Sequence, residues 1–306
     1  MAHRKIHRNF DFFSTYDYFT PGVKGIVGLS VWFIIGNLIG AVVTAIITSI
    51  LGGIEDVTSY AMLVAYPVMF IPPMMYASFQ SRSNSFFGTG YKLSSNHYKP
   101  LGGPFCALLV VMSTLTASFL ADGVGSLLPE MPEWLENALE SMTQGKLWAN
   151  IICVSIFAPI FEEWLCRGEV LRGLLNFEHK DKSGETVRGI KPVWAVVISA
   201  AFFAIIHGNP WQAVPAFALG CLFGYVYYRT GSLKLTMLMH CANNTFAVIM
   251  SNIDRFKDMD NWLDVMNPWL YAAISLFCAA FILYFIHKMN SITPQDPQGS
   301  CDRISA

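Results

Sequence analysis

The sequence predicts an all-α, polytopic membrane protein of about eight transmembrane helices, with its motif-bearing core in spans four to seven. Three observations carry this. First, 54% of the 306 residues are hydrophobic and 13% are charged, with a mean hydropathy of +0.43. A soluble domain carries about 25% charged residues. Second, the apolar residues fall into eight runs on the scale of a helix that crosses a ~30 Å hydrocarbon core, which takes roughly 20 residues. Third, the cations are segregated: 17 of the 20 Lys and Arg residues fall on one side of the resulting topology and three on the other.

The runs are Val23–Leu51, Ser59–Phe79, Pro104–Leu128, Leu147–Leu175, Pro192–His207, Trp211–Tyr228, Leu233–Ser251 and Pro268–His287. The fifth and sixth are short and are joined only by "GNP". The sparse side holds Lys146, Arg255 and Lys257 together with the acidic loops "GGIEDVT", "PEMPEWLENALES" and "NIDRFKDMDNWLDV". The positive-inside rule then puts both termini in the cytoplasm and the chain in an inner or plasma membrane. Residues 1–22 are expected as a cytoplasmic segment, 23–287 as the helical domain and 288–306, rich in Pro and Ser, as a disordered cytoplasmic tail. The N-terminus has no apolar stretch followed by a cleavage site, so no cleaved signal peptide is expected. "ENALESM" suits a short interfacial helix on the outer side.

No internal repeat and no nucleotide-binding loop is visible. The net charge of −1 says nothing of partners, because the charges are segregated, and no nucleic acid is expected. Six of the seven cysteines lie in apolar runs and none has zinc-type spacing, so they read as small apolar residues.

Ionisable groups at bilayer depth cost at least ~2.5–3.5 kcal/mol each, which makes them functional candidates. Three constellations qualify. Glu162, Glu163 and Arg167 lie on the fourth span, where the i, i+4 spacing lets Glu163 pair with Arg167 while Glu162 points elsewhere. The competing reading is a helix end at the interface, with Arg172 snorkelling into headgroups. His207 ends "AAFFAIIHGNP", where a helix C-cap is the competing reading. His240 and Asn244 share a face of the seventh span, where an interhelical clasp is the alternative. One buried site gathering all six would satisfy each of them.

Such a set supports hydrolysis. Glu162 and His207 converging on one water make a general-base site. N–H donors on His240 and Asn244 can stabilise an oxyanion, a contribution on the order of 3–4 kcal/mol in acyl-transfer enzymes. Glu163 with Arg167 would orient the site. No Ser or Cys sits in a nucleophile motif; Cys166 and Cys241 have packing explanations.

"EEWLCR" at Glu162–Arg167, "FAIIH" at Phe203–His207 and "HCANN" at His240–Asn244 match, in order, the EExxxR, FxxxH and HxxxN motifs. The stretch from Pro159 to Phe246 thereby resembles the CAAX prenyl protease and bacteriocin-processing (CPBP, Abi) family of glutamyl intramembrane endopeptidases, related to the type II CAAX prenyl endopeptidase. The resemblance implies that Glu162 and His207 activate the water, Glu163 and Arg167 support the site, and His240 and Asn244 form the oxyanion hole. It also implies a metal-independent mechanism and a membrane-embedded or lipidated protein or peptide as substrate. Prenylation of that substrate is not required by bacterial members, some of which serve bacteriocin immunity or regulatory binding.

Two alternatives stay open: a non-catalytic membrane scaffold, immunity or regulatory protein that keeps the fold, and a zinc-dependent membrane peptidase. Two histidines and a carboxylate are a legitimate zinc set, but HExxH is absent and Arg167 beside the carboxylates disfavours a dication. No cofactor is therefore expected. A cavity facing the cytoplasm is the expected entry route, beside the basic loop "NFEHKDKSGETVRGIK". In straight, full-length spans His207 and His240 would sit at different depths, since helices rise ~1.5 Å per residue. The sequence reading resolves this with a "GNP" turn that stops inside the protein.

Overall fold

The structure, a computed structural model, describes residues 12–294 except Glu55, Phe87, Thr89, Gln144, Asp181, Asp254, Lys257, Asp258 and Asp260, together with residues 303–304. The N-terminal cations Arg4, Lys5 and Arg8, Cys301, Lys257 and most of the tail lie outside the described residues.

Helices dominate. They are α1 (Val23–Leu51), α2 (Val57–Asn84), α3 (Gly103–Gly125), α4 (Glu133–Thr143), α5 (Leu147–Asn176), α6 (Pro192–Ile205), α7 (Pro210–Thr230), α8 (Leu233–Ser251) and α9 (Pro268–Met289). Every apolar run of the sequence is one of these helices. α1, α2, α3, α5 and α9 are long and apolar enough to cross a membrane, and α6 is apolar but only 14 residues long. α7 and α8 are 21 and 19 residues long. α8 buries Thr236 and His240, the latter at 4% exposure. α4 falls where the sequence suggests a short interfacial helix, and it buries Leu135 while exposing Trp134. Strands are minor. β1 (Gly90–Tyr91) pairs antiparallel with β4 (Arg303–Ile304), and β2 (Glu178–Lys180) pairs with β3 (Thr186–Arg188).

Small residues set the closest helix contacts, as in bundles where the hydrophobic effect between helices is weak. A Cβ on Gly36 of α1 would run into the Met69 carbonyl of α2. Gly220 of α7 lies 3.1 Å (as a built Cβ) from Ala200 of α6. α2 carries Pro67, Pro72 and Pro73 in its interior, which membrane helices tolerate when neighbours satisfy the freed backbone.

Both ends of the bundle are tied by polar contacts. At the end holding the acidic loops, Lys146 pairs with Asp56 at 3.1 Å, the Trp211 indole donates to the Pro129 carbonyl at 2.8 Å, and the Trp262 amide donates to Asp122 at 3.2 Å. At the other end, Arg172 of α5 is 2% exposed and does not snorkel. It donates to the carbonyls of Tyr16 (3.2 Å), Asp17 (3.2 Å), Phe19 (2.5 Å), Tyr91 (2.8 Å) and Gly168 (2.6 Å), and to Glu169 at 3.3 Å. The Asp17 carboxylate accepts from the Leu93 amide at 3.1 Å, and Tyr16 rests on Trp164 with ring centroids 5.3 Å apart. Burial, reinforced by the charge of Glu169, pushes the Tyr16 phenol up to about 12, so it stays a neutral contact.

The "GNP" turn does not stop inside the protein. Gly208 and Pro210 are exposed and Asn209 is half-buried. Gly208 takes the left-handed conformation (φ +73°) that closes α6, and the Asn209 side chain caps α7 by accepting from the Gln212 amide at 2.9 Å. Trp211 ties the turn to the loop around Pro129.

Candidate active site

The local structure of α5 explains how the Glu pair is presented. Its middle turn, Ala158–Glu163, is α-helical and is flanked by two π-helical stretches, Ile151–Phe157 and Trp164–Leu171. Such wide turns recur at functional sites. They free carbonyls. Ala158 donates to Cys153 rather than Val154, and Pro159 has no N–H to offer Val154. Asn244 of α8 fills the vacancy, donating to the Val154 carbonyl at 2.8 Å. The Gly168 carbonyl also accepts from the Arg172 side chain, and the Cys166 carbonyl from the Ser199 hydroxyl at 2.7 Å.

Glu163, fully buried, is the hub. One carboxylate oxygen accepts from Arg167 at 2.8 Å and from His240 Nδ1 at 3.0 Å. Arg167 also donates to the Gly220 carbonyl of α7 at 3.1 Å. Its guanidinium lies over Phe203, 4.5 Å from the ring centroid, and over Phe223 at 5.3 Å. Cation–π contact of this kind, worth about 2 kcal/mol when desolvated, lets a charge sit between apolar helices. One arginine thus joins α5, α6 and α7.

Glu162 sits on the adjacent face. Its Oε1 accepts a hydrogen bond from the Tyr66 hydroxyl of α2. Its Oε2 is buried, has no hydrogen-bond partner and lies 3.9 Å from His240 Nε2. Of the two carboxylates, Glu162 is the one whose partnerless oxygen faces the Nε2 side of His240. Because Glu163 as a carboxylate only accepts, His240 Nδ1 carries its proton, and Nε2 faces Glu162.

His207 follows the end of α6. Its Nδ1 lies 2.7 Å from the Phe203 carbonyl, an acceptor only, so that nitrogen holds the proton and Nε2 of the neutral ring is left with a lone pair. Phe203 joins the two imidazoles: its ring meets His207 edge-on at 4.9 Å and His240 edge-on at 5.4 Å. This bridging ring, one turn before His207, is what brings the two histidines into one neighbourhood despite their different distances along their helices. Among the described residues no hydrogen bond links His207 to Glu162, so the structure joins Glu162, Glu163, Arg167 and His240 directly and His207 through Phe203.

Asn244 belongs to a polar chain. The Ser118 hydroxyl of α3 donates to Asn243 Oδ1 at 2.6 Å, Asn243 Nδ2 donates to Asn244 Oδ1 at 3.0 Å, and Asn244 Nδ2 donates to Val154. The chain runs donor to acceptor throughout, which fixes both amide orientations. One N–H of Asn244 remains for another acceptor. Tyr66, Ser118, Asn243 and Phe223 are participants that motif reading of the chemistry-bearing residues does not reach. Pro159 is the sequence signal for the Asn244 contact, since it removes a backbone donor from α5. Among the described residues no group of three or more His, Cys, Asp or Glu side chains has the arrangement that holds a metal ion.

Helices of this length and apolarity around such a polar centre define an all-α polytopic membrane protein with a polar cluster inside the bundle. Residues 144–246 match the family described as type II CAAX prenyl endopeptidase Rce1-like. Among curated proteins, the membrane-embedded CAAX protease MroQ of Staphylococcus aureus (strain USA300) is 28% identical over 103 residues, covering 32% of this chain and 38% of that protein. The match therefore spans well under half of the curated relative. No solved structure matches this chain.

Proposed function

We propose that the chain is an intramembrane endopeptidase of the glutamyl CAAX type, hydrolysing a peptide bond of a membrane-associated or lipidated substrate. The carrying observation is the Glu162 carboxylate: one oxygen is held by Tyr66, and the other is buried, unpartnered and 3.9 Å from His240. A water between Glu162 and the free nitrogen of His207 loses a proton to this pair, and its oxygen attacks the scissile carbonyl. The oxyanion takes the spare N–H of Asn244 and, when His240 is an imidazolium, its Nε2–H. Return of the proton to the amide nitrogen breaks the C–N bond and releases a carboxylate and an amine. Glu163 and Arg167 hold His240 in place. No step needs a metal, and the guanidinium beside the carboxylates works against a dication.

General-base groups contribute ~10²–10⁴-fold. Glu162→Gln and His207→Ala should each lower cleavage by about that much while leaving the protein folded, whereas EDTA leaves the wild-type rate unchanged. Substrates are read by mass spectrometry of membrane peptides that accumulate with Glu162→Gln relative to wild type. Full activity of a folded Glu162→Gln protein, with nothing accumulating, overturns the proposal.

A further inference from the structure

A cavity of about 730 Å³ opens at the end of the bundle that carries the acidic loops. Its lining residues Glu130, Glu133 and Glu136 are exposed, and Asp122 lies on the same wall. Ser118, Asn243 and Leu219 line it as well. Among the described residues, none that lines it is Lys or Arg. The cavity reaches the site through Asn243, which bonds Asn244 at 3.0 Å. A second cavity, about 380 Å³, lies at the opposite end and is lined by Tyr18, Asn84 and Tyr91 among others. The six candidate site residues line neither cavity; the Arg172 cluster stands beside the second, with Arg172 bonded to the Tyr91 carbonyl at 2.8 Å. The first cavity thus approaches the site, at Asn243, from the end opposite the basic loops.

The volume is that of a ligand pocket, and its character narrows the occupant. A prenyl chain would face three exposed glutamates and offer them no partner. The carboxylates are spread over a loop, α3 and α4 rather than gathered as metal ligands. A peptide carrying Lys or Arg fits both features: its cations meet the glutamates, and its backbone meets the amide and hydroxyl of Asn243 and Ser118.

We propose that this cavity is a substrate vestibule for an unlipidated, cationic stretch of polypeptide, which it feeds to the site past Asn243. The inference rests on the hydrolytic reading above and names its substrate class. Its test needs no hydrolysis. Full-length Glu162→Gln protein in zwitterionic nanodiscs is titrated with a short fluorescein-labelled peptide rich in lysine, and with a matched peptide in which glutamate replaces every lysine. Fluorescence anisotropy should show the lysine peptide binding about tenfold more tightly, the scale expected of three exposed ion pairs. The preference should shrink as salt is raised and vanish in a folded Glu130→Gln/Glu133→Gln/Glu136→Gln variant. Equal binding of the two peptides, or a preference that survives the triple substitution, overturns the vestibule. A charge-blind result does so even if Glu162 proves essential for cleavage, and a charge-selective result stands even if it does not.

Discussion

Tyr66 shows what a single hydroxyl does at this site. It donates to one oxygen of Glu162 across 96 residues of sequence and leaves the other oxygen open. A hydrogen bond to a charged group is worth about 1.5–3 kcal/mol, so its loss frees the carboxylate to rotate among its neighbours. Tyr66→Phe keeps the ring and its packing on Phe70, 5.7 Å away. The variant should therefore fold normally and lose about tenfold to a hundredfold in kcat, with KM changing much less; wild-type kcat would remove Tyr66 from the positioning role. The acidic, basic and amide members of the site are legible in the sequence because each is chemically foreign to its apolar run. Tyr66 is not, since a tyrosine in "LVAYPVMF" is ordinary in a membrane helix and its partner is distant in the chain. The Asn243–Asn244 order is similarly silent: both amides stand in "HCANN", and only the fold shows that one holds the other.

Helix boundaries are legible to within a few residues because hydrophobic length is a composition property; α1 and α8 begin and end where the apolar runs do. The interior of α5 is not, because π-helical turns depend on which partners take the freed carbonyls. Val154, Cys166 and Gly168 are each taken by a side chain, from Asn244, Ser199 and Arg172. The distorted helix is thus a docking rail for α8, α6 and the N-terminal segment. Arg172 is the strongest of these fasteners, since its fork serves five backbone carbonyls and Glu169. Arg172→Met removes every one of those donors and leaves Glu169 buried without its cation. Breaking a buried pair costs about 3–5 kcal/mol, and the loss should appear as a lower thermal midpoint. Hydrogen exchange should rise around residues 16–19 and 91–93, while α9 stays protected. Arg172→Lys, a point charge without the fork, should fall between; unchanged exchange in Arg172→Met would mean that the clamp is not what holds the segment.

At the scale of the whole molecule, the two ends of the bundle differ in charge and in access. One end gathers most of the Lys and Arg and holds the Arg172 cluster, which packs the N-terminal turn onto α5. The other end gathers the acidic loops and opens into the cavity that reaches Asn243. If the positive-inside rule governs this chain, the basic end faces the cytoplasm and the acidic mouth faces out, so a substrate entering that mouth would approach from across the membrane or from within it. Single cysteines distinguish the two faces. Ser126 lies in the loop after α3 and Lys182 between β2 and β3, and both are exposed. The six described native cysteines are buried or half-buried within helices, so a background lacking them should fold. In intact cells an impermeant maleimide should label Ser126→Cys and spare Lys182→Cys until the membrane is opened. The reverse pattern would turn the molecule over, put the acidic mouth in the cytoplasm and make a cytoplasmic cationic peptide the one that can reach the site.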